Sequence, residues 1–114
     1  MDEHLIDSAM QIIVQSGNAR TACMKALDAI EQADFAEAGK LLAEADEAIL
    51  GAHHVHTAVL QDSMKQEHAE YSVLFSHAQD TLMTISSEIN IAKKLCRIFS
   101  AYFDRGFIRQ PEEE

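Results

Sequence analysis

Apolar and small residues recur along the chain at alternating spacings of four and three, which marks one face of a helix. The first run is Leu5, Ala9, Ile12, Ser16, Ala19, Cys23, Ala26 and Ile30. Ile6, Met10, Ile13, Met24 and Leu27 widen the face, and the pattern predicts a helix from about Asp2 to about Glu31. Gly17 interrupts it and costs about 1 kcal/mol against alanine in a helix interior. A close backbone approach or a local bend would account for a glycine there. Asn18 and Arg20 beside it are polar in mid-helix. They suit either solvated surface or a contact near an active face.

The pattern breaks at Gln32-Ala33, and Asp34 with Glu37 three residues on reads as a capping box. A second helix is expected to about Gln61, with Phe35, Ala38, Leu42, Ala45, Ile49, Ala52, His56 and Val59 as its core stripe. Between Asp62 and Ala69 only Met64 is large and apolar, so this stretch reads as a mobile loop. The third helix is expected from about Glu70 to about Asp104. Its main stripe is Tyr71, Phe75, Ala78, Leu82, Ile85, Ile89, Ala92, Cys96, Phe99 and Phe103. A second stripe lies beside it: Leu74, His77, Thr81, Thr84, Glu88, Ile91, Leu95, Ile98 and Tyr102. One helix of a monomeric three-helix bundle needs a single apolar stripe. The second is apolar at both ends and polar in the middle, which favours self-association over a wide monomer core.

These elements predict an all-α protein: an antiparallel, up-down-up three-helix bundle in one domain over residues 1–105. Residues 106–114 end in three glutamates and are expected to be a disordered acidic tail. Composition agrees, since 114 residues hold four glycines and one proline, too few for a turn-rich sheet. A net charge of −10 makes nucleic acid and anionic membrane poor partners and favours a partner with a basic surface. Cys23 and Cys96 fall within helical patterns and read as buried free thiols of a reducing compartment. No apolar run approaches the ~20 residues of a membrane span. The N-terminus has no basic flank followed by an apolar run. A soluble, cytoplasmic protein without direct membrane insertion is expected.

Candidate chemistry rests on six histidines. His53, His54 and His56 cluster on the second helix, and the i, i+3 pair His53 and His56 has a metal-capable spacing. No third ligand is near in sequence, so a surface cluster is favoured over a metal site. No phosphate-binding glycine loop or nucleophile elbow is present. His77 stands out by its setting, His77-Ala78-Gln79-Asp80-Thr81-Leu82-Met83-Thr84. An imidazole serves as a covalent nucleophile near neutral pH when one ring nitrogen is held by an acceptor. Asp80 at i+3 or Thr81 at i+4 is placed to be that acceptor. A satisfied histidine at the edge of a helical core is the competing reading.

That eight-residue run resembles the hallmark of the lactose/cellobiose-type IIA components of the bacterial phosphoenolpyruvate-dependent sugar phosphotransferase system, His-(Ala/Gly)-Gln-Asp-His-Leu-Met-Thr. Further matches are Ser16-Gly17-Asn18-Ala19-Arg20, Asp34-Phe35-Ala36, and Ala52-His53 with Thr57. The resemblance implies a three-helix protomer in a homotrimeric nine-helix bundle. It implies that His77 accepts a phosphoryl group from the carrier HPr and passes it to a cysteine of a IIB component during sugar uptake. The protein would be a phosphoryl carrier forming a phosphohistidine rather than a stand-alone enzyme. Gln79 and Thr81 would be supporting residues. Asp80 would contribute to a divalent cation, Mg2+, on the trimer axis. Two residues depart from the family pattern: Thr81 stands for a histidine and His56 for a glutamine. Thr81 still offers a hydroxyl donor, and His56 is expected to bring a polar group towards the same pocket. A non-catalytic helical oligomer or regulator, and a histidine-rich metal-binding bundle, are the alternatives.

Overall fold

A computed structural model describes residues 2–66 and 72–106. Three helices make up the described chain: α1 Glu3–Glu31, α2 Phe35–Lys65 and α3 Val73–Asp104. They form a rod 62 × 23 × 18 Å in extent. The all-α, three-helix architecture expected from the periodicity is the one observed.

Each helix starts on a side chain that accepts from a free backbone N–H. Asp2 accepts from the His4 N–H at 2.9 Å, Asp34 from Glu37 at 3.1 Å and Ser72 from Phe75 at 3.1 Å. The α1–α2 turn is tighter than a simple break. The Asp34 N–H bonds the Ala29 carbonyl and the Ala33 N–H bonds that of Ile30, the paired bonds of a Schellman motif. The motif needs one left-handed residue, and Ala33 supplies it at φ 57°. Asp34 therefore closes one helix with its N–H and opens the next with its carboxylate.

The core is narrow and rich in alanine. Ala9, Ile12, Ser16, Ala19, Cys23 and Ala26 of α1 meet Leu42, Ala45, Ile49 and Ala52 of α2 and Ala78, Leu82, Ile85, Ile89 and Ala92 of α3. Small side chains let the backbones approach. At Gly51 an added Cβ would stand 2.6 Å from the Oε1 of the Gln15 side chain on α1. Gly17 has no such neighbour, since a Cβ there meets nothing within 4 Å. It lies inside the continuous α1, so close approach does not explain it.

The second boundary of α2 differs from expectation. Helix continues through Asp62, Ser63, Met64 and Lys65, a stretch read as loop because its apolar period fails. Nothing in it breaks a helix; the period fails because the last turn has little core to face, and Met64 is 85% exposed. α3 begins at Val73, after the Ser72 cap, rather than near Glu70. The rest of the expected loop, the tail beyond Gly106 and the core position Tyr71 lie outside the described residues. The second stripe of α3 is covered unevenly: Leu74, Thr81, Glu88 and Leu95 are half-buried, whereas His77, Thr84 and Ile98 are exposed, Ile91 at 59% and Tyr102 at 45%.

Candidate functional site

His77 sits in the second turn of α3, on the stripe that the bundle leaves open, and its side chain is exposed. Its helical face also carries Asp80, Thr81 and Thr84, because spacings of three, four and seven return to one side. Across from them stands Arg20 of α1. Arg20, His77, Asp80, Thr81, Thr84 and Ile85 line one shallow groove of ≈ 250 Å³. Three of the four residues predicted for the site are thus brought together, and Arg20 joins them.

Gln79 does not. Two residues on from His77 is about 200° around the helix, so Gln79 points towards α2. There His56 Nε2 donates to Gln79 Oε1 at 2.8 Å, with the amide oxygen assigned to that side. The His56 ring stacks on Phe75 at 5.7 Å between centroids and 11° between planes. His56 is buried, 6% exposed, and does not bring a polar group to the groove as expected. His56 instead builds an α2–α3 strut behind the helix turn that carries His77.

The partner expected to hold a ring N–H of His77 is not there either. Among the described residues the imidazole has no hydrogen-bond partner. Thr81 Oγ1 donates to the His77 carbonyl at 2.8 Å, the i−4 bond that a helical threonine readily makes. Its proton is committed to the backbone. Asp80 is exposed and unpaired among the described residues. The ring is therefore free to turn and to meet a partner with either nitrogen.

The α2 histidines do not converge. Ser86 Oγ donates to the Leu82 carbonyl at 2.8 Å, so it accepts from His53 Nε2 at 3.1 Å. His56 is engaged with Gln79, and His54 is exposed. No group of three or more His, Cys, Asp or Glu side chains placed to hold a metal occurs among the described residues. Asp80 is the only carboxylate lining the groove, beside the hydroxyls of Thr81 and Thr84, where a hard cation needs about six oxygen ligands. A cation there fits only with carboxylates from other copies and with water.

On the far side of Arg20 the groove continues between α1 and α3. Arg20 Nη2 pairs with Glu88 Oε2 at 3.2 Å. Cys23, one turn further along α1, is buried, and burial pushes its thiol pKa up. Glu88 adds to that rise and Arg20 opposes it. Arg20 and Thr84 were legible as members of the groove from the helical spacing of Thr84 and the mid-helix polarity of Arg20. The Arg20–Glu88 pair has no signal in sequence, since it joins residues of different helices.

The groove thus presents an exposed histidine, unpartnered among the described residues, with a guanidinium across from it. Comparison with known proteins identifies the class. The model of the family "PTS system, Lactose/Cellobiose specific IIA subunit" matches residues 7–100, and the chain belongs to that family. It is 33% identical over 99 residues to the lichenan-specific phosphotransferase enzyme IIA component of Bacillus subtilis, covering 87% of this chain and 90% of that protein. It is 34% identical over 89 residues to a lactose-specific EIIA component of Staphylococcus epidermidis, covering 78% of this chain and 86% of that one. The crystal structure of the cellobiose-specific enzyme IIA of Bacillus anthracis superposes with TM-score 0.84 at 35% identity, over 93% of this chain and 97% of that one. The chain is accordingly a phosphotransferase-system protein with a role in sugar phosphotransfer. No helix among the described residues is long and apolar enough to cross a membrane.

Proposed function

We propose that His77 receives the phosphoryl group from HPr and hands it to a cysteine of a IIB component, in the cytoplasm, during sugar uptake. The observation that carries this reading is the exposed His77 imidazole, unpartnered among the described residues and facing a groove with Arg20 on the opposite wall. A lone pair on one ring nitrogen attacks phosphorus as the bond to the HPr histidine breaks. The other ring nitrogen keeps its proton. A IIB thiolate then attacks the same phosphorus and His77 leaves as neutral imidazole. Such transfers need position and charge stabilisation more than covalent help from the protein. A nucleophile on a continuous helix supplies the first. Incubation of wild type and His77→Ala with phosphoenolpyruvate, enzyme I and HPr tests the assignment: wild type takes up one phosphate on His77 and the variant none. Equal labelling of the variant rejects it.

The reading includes a homotrimer, supported by the exposed apolar positions Ile91 and Ile98 on the second stripe of α3, and a divalent cation, Mg2+, held by the Asp80 carboxylates of three copies with water. Three carboxylates on an axis repel unless a cation or shared protons intervene. Asp80→Leu removes the repulsion, so the trimer persists or strengthens and its melting no longer responds to EDTA. A wild type insensitive to EDTA, with no metal bound, defeats the cation.

A further inference from the structure

Deepening that reading, and resting on it, we propose that Arg20 is the side chain that binds the phosphoryl group while it is on His77, swinging between Glu88 and the groove. A phosphoryl group on this imidazole brings up to two negative charges onto a chain of net charge −10 and beside the Asp80 carboxylate. It needs donors. The backbone supplies none, because by His77 the N–H groups of α3 are inside the helical ladder, past the free first turn. Thr81 has committed its proton to the His77 carbonyl. That leaves the Thr84 hydroxyl and the Arg20 guanidinium, and Arg20 is the only cation among the residues lining the groove.

Arg20 is also placed to move. It lines both the His77 groove and the adjoining one that holds Glu88. The Glu88 contact uses Nη2, which leaves Nη1 and Nε uncommitted. The Arg20 side chain is 57% and that of Glu88 33% exposed, so water screens the pair. A phosphoryl group offers the planar fork two acceptors at once. Glu88 is the resting partner that keeps the guanidinium beside the groove until the phosphoryl arrives.

The test separates phosphoryl binding from HPr docking. In Arg20→Gln, the transfer rate at saturating phospho-HPr falls roughly tenfold or more, with little change in the HPr concentration for half-maximal rate. In the purified phosphoprotein, with HPr removed, the 31P resonance of phospho-His77 titrates at higher pH in Arg20→Gln than in wild type. Loss of a nearby cation makes the second phosphoryl ionisation harder. Glu88→Gln frees Arg20 and moves that midpoint below the wild-type value. An Arg20→Gln midpoint and saturated rate equal to wild type overturn the proposal, as does an effect confined to the half-saturating HPr concentration. If Arg20→Gln does not fold, Glu88→Gln decides by the same midpoint, and an unchanged or raised value overturns the proposal. A wild type that takes no phosphate on His77 removes the function proposed above instead, so the two failures are distinct.

Discussion

At the scale of single residues, the helix assigns tasks by angle. His77, Asp80 and Thr84 share the open face, while Gln79 is turned inward to His56. That division was computable from the sequence, since a two-residue step reverses the face. What the sequence did not reveal was the state of each polar group. Thr81 looked like a donor for the groove but gives its proton to the His77 carbonyl, because an i−4 oxygen is nearer than any substrate. Cys23 is a second case. Its thiol is held up by burial first and by Glu88 second. The folded thiol therefore keeps its proton at a pH where the unfolded thiol has lost it. Stability is full below the ordinary thiol value and is lost as pH rises through the higher folded value. Urea midpoints measured at about pH 8 and about pH 10 should fall more in wild type than in Cys23→Ala. Equal falls remove the Cys23 contribution.

At the scale of elements, periodicity located all three helices, and N-cap chemistry placed the start of α2 at Asp34. The errors came where periodicity measures something other than helix. Asp62 to Lys65 lost its apolar pattern yet stayed helical, because an end with little core to face needs no apolar face. The α1–α2 connection hid a Schellman turn, since its left-handed position holds alanine instead of the glycine that would have signalled it. That alanine is a source of strain. Ala33→Gly should raise stability by about 0.5–1 kcal/mol, the relief of the left-handed Cβ less the extra freedom glycine brings to the unfolded chain. Thermal or urea unfolding checks it, and a destabilised variant contradicts the account of the turn.

At the scale of the whole molecule, the bundle is incomplete by its own pattern. On the face of α3 running from His77 to Tyr102, Thr81, Glu88 and Leu95 are only half-buried among the described residues, and Ile91 is 59% exposed. A chain that leaves such a stripe open gains by burying it against copies of itself. Ile91→Glu should leave the helical content of the single chain intact and shift sedimentation equilibrium towards monomer. Wild type running as monomer across micromolar concentrations rules out the assembly. The sequence made this legible as a second stripe with a polar centre, but it could not show that Arg20 and Glu88 of different helices meet across that centre.

The openness of the groove around His77 has a kinetic consequence. On the proposed reading one ring, on one face, serves two clients, and both cannot occupy it together. They must take turns, and between visits the phosphorylated chain stands alone with its phosphorus–nitrogen bond open to water. The race that matters is then between the next client and hydrolysis. The yield of the relay, sugar phosphorylated per phosphoenolpyruvate spent, is set by how long that bond outlives the wait.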